Sequence, residues 1–251
     1  MAARCEQDAD QRYAVHVGAG YDGFHERSMS SVVEPIAHCS LVVFGEFHGT
    51  AEVPAFVAEV LAASPAPVAL AIEWPRDLQP AVDEFLATGD RTRLVATPND
   101  FWSYRDGRSS AAMVELVDRA RQLGAPVICF DGTFPSAEDR DAGMAKLLLD
   151  ALPPAPTRML VLCGNLHART SLPRWMGWHL RRRVPDLLSL DARDDGGTAW
   201  ASLEHRGPGV VTIPAPPHVS PPGIRLHAVR DEDGFDGEYA VGPIRASLPV
   251  R

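Results

Sequence analysis

Leu41-Val42-Val43-Phe44 is an unbroken apolar run with polar neighbours on both sides. Such a run suits a strand covered on both faces, as in a parallel sheet. Four more follow: Val68 to Ile72, Pro126 to Phe130, Met159 to Cys163 and Leu187 to Leu190. Between them the apolar residues change to helical spacing. Val53, Phe56, Val57, Val60 and Leu61 form one stripe, with Thr50 as the expected N-cap and Pro54 in the first turn. A second helix is expected over Gln79 to Thr88. A third starts near Ser110, with Met113, Leu116, Val117, Ala120 and Leu123 as its stripe and Gly124 as its stop. Ser136 with Asp139 resembles a capping box for a helix reaching about Ala151. Ser171, with Pro173 two residues on, is expected to cap another helix that closes before Pro185.

The alternation predicts an α/β fold in three layers, a mostly parallel sheet with helices on both faces. After Asp191 the pattern changes. Thr198 to Leu203 and Val210 to Ile213 read as short antiparallel additions, and the prolines of 214–222 as an extended segment. Residues 223–251 are expected to form an edge strand or a tail over the sheet. Residues 1–28 read as a polar lead-in, with a short helix over Met29 to Ala37, and 29–251 as one domain.

Charge narrows the partners. The chain has 24 basic against 33 acidic residues, net −9, which argues against a phosphate-neutralising nucleic-acid surface. The one basic cluster, Arg181-Arg182-Arg183, fits a helix C-terminus. None of the four cysteines forms a Cys-x-x-Cys pair, and Cys129 and Cys163 sit in apolar runs, as in a reducing compartment. With no secretory signal pattern and no apolar run near 20 residues, the expected location is the cytoplasm, away from membranes.

Open α/β sheets bind ligands beyond the carboxyl ends of their strands. There the expected strands deliver Glu46 and His48, Glu73, Asp131, Asn165 and His167, and Asp191. Asp191 alone reads as a turn former, and Asp131, followed by Gly132, as a turn or a site residue. Two histidines and two glutamates on one rim point to chemistry, because a carboxylate is seldom buried without a partner. Imidazole takes a proton from water or ligates a metal, and carboxylates orient it. Arg140 shares a helix face with Met144 and Leu147 or Leu148, which leaves it snorkelling to solvent or aimed at an anion. The other seven histidines have no supporting context.

The stretch Leu41 to Val60 (LVVFGEFHGTAEVPAFVAEV) resembles the first motif of the superfamily of erythromycin esterases, ChaN-like haem-uptake proteins and the Tiki/TraB group. Further matches follow in order over roughly residues 38 to 170. They are Ala71-Ile72-Glu73-Trp74, then Glu138-Asp139-Arg140-Asp141 with Met144, and the second Gly-x-x-His, Gly164-Asn165-Leu166-His167. The resemblance implies an α/β fold with its site at the strand ends. Its functional message is split between metal-dependent proteolysis, lactone hydrolysis by a histidine-activated water, and haem binding. Asp106-Gly107-Arg108-Ser109-Ser110 lies outside the shared pattern and is expected to carry specificity or to be a turn and helix cap.

The main expectation is a hydrolase of an ester, lactone or amide bond in a small molecule or peptide. His48, Glu46, Glu73 and His167 would be catalytic, and Arg140, Arg108, Asp131 and Asn165 would bind substrate. A divalent metal (zinc, manganese or cobalt) would sit on His48, Glu73 and His167. The alternatives are a natural-product lyase or cyclase with the same residues, and a non-catalytic haem protein using His48, His167 or Tyr104.

Overall fold

The computed structural model describes residues 32–65, 67–103, 106–203 and 207–250. The lead-in, the start of the Met29 to Ala37 helix and Tyr104 lie outside the described residues.

In chain order the elements are β1 (Leu41–Glu46), α1 (Glu52–Ala63), β2 (Val68–Pro75), α2 (Gln79–Thr88), α3 (Arg91–Ala96), α4 (Ala111–Gln122), β3 (Val127–Asp131), α5 (Ala137–Ala151), β4 (Arg158–Gly164), α6 (Asn165–Ala168), α7 (Met176–Arg181), β5 (Leu188–Arg193), β6 (Gly197–Leu203), β7 (Gly207–Ile213), β8 (Gly223–Leu226) and β9 (Gly237–Ala240). A seven-stranded sheet runs β3-β2-β4-β1-β5-β9-β8, and β6 and β7 form a separate two-stranded sheet. Within the large sheet only the β8–β9 pairing is antiparallel. The expected mostly parallel α/β fold is therefore present.

The apolar runs of β1 and β4 are continuous because both faces are covered. Val42, Phe44, Leu160 and Leu162 join the core under α1, α2 and α4. Leu41, Val43, Met159, Val161 and Cys163 join the other core, under α5 and α7. The connection after β1 leaves on the first face and the one after β4 leaves on the second. β1 and β4 are neighbours, with Glu46 paired to Gly164. Adjacent strands whose connections part in this way open a crevice at their carboxyl ends.

Two local expectations are corrected. Thr50 does not cap α1: the N-cap is Ala51, and Thr50 Oγ1 is buried without a partner. Ser171 does not start a helix. The one-turn α6 comes first and α7 begins at Met176, because Thr170 and Ser171 turn the backbone to donate both amides to Asp233 O. The strands β6 and β7 are the expected short antiparallel addition, paired in a sheet of their own. The Ser136 cap holds: its Oγ accepts from Asp139 N at 3.1 Å. The basic cluster falls where α7 ends, with Arg181 held by Leu187 O at 3.0 Å and by Asp236.

Candidate active site

Glu46 ends β1 and Glu73 lies two residues before the end of β2, and each is 3 % exposed. His48 Nδ1 lies 2.8 Å from Glu46 Oε1, and its Nε2 faces Glu73 Oε2 at 3.5 Å. The ring keeps 22 % of its side chain open to the cleft. Burial alone would lower the His48 pKa. The Glu73 charge, and hydrogen bonding to Glu46 and Glu73, outweigh it and push it up to about 10. Glu73 moves the opposite way. Burial would raise its carboxyl, but the charge and hydrogen bond of His48, with Arg108 beside them, hold it well below the usual range.

Glu73 is the hub. Its Oε2 accepts from Gly164 N at 2.7 Å. Its Oε1 accepts from Arg108 Nη1 at 3.2 Å and Arg140 Nη2 at 2.8 Å. Asp131 Oδ2 accepts from the same two nitrogens, at 2.7 and 2.8 Å. Asp131 Oδ1 takes Arg140 Nε at 3.0 Å and Gly132 N at 2.8 Å, so Asp131 fills both the turn role and the site role. Arg108 also bonds Asp106 Oδ2 through Nε and Nη2. Of five N–H donors on each guanidinium, these bonds and Arg140 Nη1 to His167 use four. One is left on Nη2 of Arg108 and one on Nη1 of Arg140. Arg140 is the more open of the two, 29 % exposed against 14 %. Their first task is to hold carboxylates.

His167 Nε2 lies 3.0 Å from Arg140 Nη1. A guanidinium only donates, so Nε2 accepts and the ring proton sits on Nδ1, 2.9 Å from Asp141 Oδ1. Asp141 is held in turn by Met176 N at 2.7 Å. Asp141 and Asp106 each stand in a segment singled out from the sequence, but neither had been given a role of its own at the site. The signal for Asp141 lay in the helix: it precedes Met144, Ala145 and Leu148 by three, four and seven residues, on the buried stripe. Asn165 opens α6, and its side chain makes no hydrogen bond to a described residue. Asp191 stands apart from the network. Burial raises its carboxyl to about 6 against the opposing Arg193.

Two glycines bring the loops together. Gly49 (φ 81) and Gly107 (φ 93) meet backbone to backbone, next to His48 and Arg108. Gly164 differs, with an ordinary φ of −55. A Cβ there would lie 3.0 Å from His48 Nε2, 3.6 Å from Glu73 Oε2 and 3.6 Å from His167 Cδ2. Glycine at 164 lets β4 pass this close to His48 without a side chain pressing on the imidazole.

The donors do not fit a divalent metal on His48, Glu73 and His167. Both Glu73 oxygens and His167 Nε2 already accept hydrogen bonds, and Arg140 lies between Glu73 and His167. Two guanidiniums beside the carboxylate oppose a third cation. Among the described residues no group of three or more His, Cys, Asp or Glu is arranged to hold a metal ion, and no helix is long and apolar enough to cross a membrane.

No protein-family model matches the chain, and no curated protein matches it. Solved structures do. A Bacillus cereus protein aligns over 89 % of this chain and 94 % of its own, with TM-score 0.60 and 11 % identity. A succinoglycan biosynthesis protein aligns over 86 % and 92 %, with TM-score 0.58 and 12 % identity. Both share the fold. The haem-binding ChaN of Campylobacter jejuni is more distant, with TM-score 0.40 and 10 % identity over 74 % of this chain and 92 % of its own.

Proposed function

We propose that this chain is a metal-free hydrolase of an ester, lactone or amide bond, belonging to the superfamily its motifs resemble, with His48 as general base. The observation that carries the reading is the Glu46–His48 pair: Glu46 orients the imidazole through Nδ1 at 2.8 Å, and the ring, 22 % open to the cleft, keeps Nε2 for a proton. A water from the cleft gives its proton to neutral His48 Nε2 and attacks the carbonyl carbon. The N–H left on Arg140 Nη1 faces the developing oxyanion. The His48 proton then passes to the leaving oxygen or nitrogen, and Glu73 stabilises the imidazolium meanwhile. Phe47 and Leu166, the apolar members of the two Gly-x-x-His elements, are 46 % and 48 % exposed and would border an apolar part of the substrate. For haem, His167 would first have to give up Arg140 at its Nε2.

The pH–rate profile tests this reading. The base must be neutral, and His48 holds its proton up to about pH 10. The kcat/KM of the free enzyme is therefore expected to climb roughly tenfold per pH unit from neutrality toward that value. A profile that levels off near pH 7 would contradict His48 as the base.

A further inference from the structure

The chain's last residues form a strap across the loops that carry the site. Arg245 O accepts from Ala51 N at 2.9 Å, Ser247 N donates to Gly49 O at 2.8 Å, Leu248 O accepts from Ala111 N at 2.9 Å, and Val250 N donates to Ser109 O at 3.2 Å. The segment thus stitches the loop after His48 to the loop after Arg108. The start of α4 shows why this matters. Its N-cap residue, Ser110, makes no side-chain cap bond, and Ser110 Oγ is buried without a partner. The orphan amide of Ala112 is met instead by Ser247 Oγ at 2.9 Å, from 135 residues away. Ser247 is 7 % exposed. One residue therefore reaches both loops, His48's through its amide and Arg108's through its hydroxyl. Arg108 in turn is reported by Trp74, whose indole N–H donates to Arg108 O at 2.9 Å.

We propose that Ser247 is a positioning residue for the site, holding the His48 loop and the Arg108 loop in register through a helix cap supplied from the C-terminal strap. The inference rests on the reading that His48 and Arg108 belong to one active site.

Its test uses Ser247→Ala in the full chain and a second chain ending at Ala246, with Val229→Ala, an exposed loop position, as control. Loss of one capping bond leaves the fold intact, so Ser247→Ala should melt cooperatively. Its Ala112 amide should exchange at least about tenfold faster than in the parent, and the Trp74 indole N–H resonance should shift. Its kcat should fall about tenfold with KM nearly unchanged, because misplaced groups cost the chemical step more than binding. The chain ending at Ala246 should show larger changes in the same direction. A cooperatively folded Ser247→Ala protein with parental Ala112 exchange and an unshifted Trp74 indole overturns the proposal, and so does a parental kcat. If the exchange and indole changes appear while the parent hydrolyses no neutral ester or lactone, the strap stands and the hydrolase reading falls.

Discussion

Gly164→Ala is expected to keep the fold and to lose about 10²-fold or more in kcat/KM. Two consequences of the substitution separate cleanly. The backbone at Gly164 has φ −55, which alanine adopts freely, so the shorter list of unfolded conformations adds about 0.4–1 kcal/mol of stability. The new methyl, however, sits 3.0 Å from His48 Nε2. The imidazole must give way by a few tenths of an ångström, and the base leaves the position from which it takes the proton. Thermal melting together with steady-state kinetics checks both halves. An unchanged or raised Tm with activity nearly lost is the expected pair. Full activity would show that the close approach of His48 Nε2 to Gly164 has no part in the reaction.

Glu73→Gln should be the most damaging isosteric change in the chain. Glu73 is 3 % exposed and serves Arg108, Arg140, Gly164 N and His48 together. Glutamine keeps an acceptor but removes the charge that two guanidiniums and an imidazolium share. Breaking a buried ionic cluster from one side costs on the order of 3 kcal/mol, although Asp131 still pairs both arginines. The His48 pKa should fall from about 10, since the Glu73 charge is the largest influence raising it. The residual activity should then reach its plateau at lower pH. Stability follows the same sign. The folded His48 value lies above the ordinary 6.5, so this contribution is complete below that value and is lost as pH rises through about 10. In the glutamine variant the drop in Tm between pH 7 and pH 10 should shrink. A drop equal to that of the parent would separate His48 from Glu73.

The fold was legible because parallel strands covered on both faces leave unbroken apolar runs, and every run from Leu41 to Leu190 became a strand of the main sheet. The rim was legible for the same reason, since a polar residue ending such a run has to face the crevice. Less legible was what each polar residue does there. Arg140 and Arg108 read as anchors for an anionic substrate, yet most of their donors are committed to Glu73, Asp131, Asp106 and His167. Those pairings join strands far apart in sequence, and no local spacing encodes them. Cap bonds were less legible than most helix starts, and α4 does begin after Ser110. Ser110 has the right residue type for a cap, but the bond that replaces it comes from Ser247. Ser171 was drawn into a turn by Asp233 O. Ser136, whose partner Asp139 is three residues away, was readable because its bond is local.

Hydrolysis in water enriched in oxygen-18, after exhaustive dialysis against a strong chelator, bears on both the reaction class and the metal. The substrates would be a set of neutral esters and lactones with apolar acyl groups. Metal-free hydrolysis through His48 predicts one labelled oxygen in the product carboxylate, at an undiminished rate, and loss of turnover in His48→Ala. Turnover without label would instead indicate elimination or cyclisation at the same residues. Activity lost on chelation and restored by zinc, manganese or cobalt would contradict the metal-free site described above.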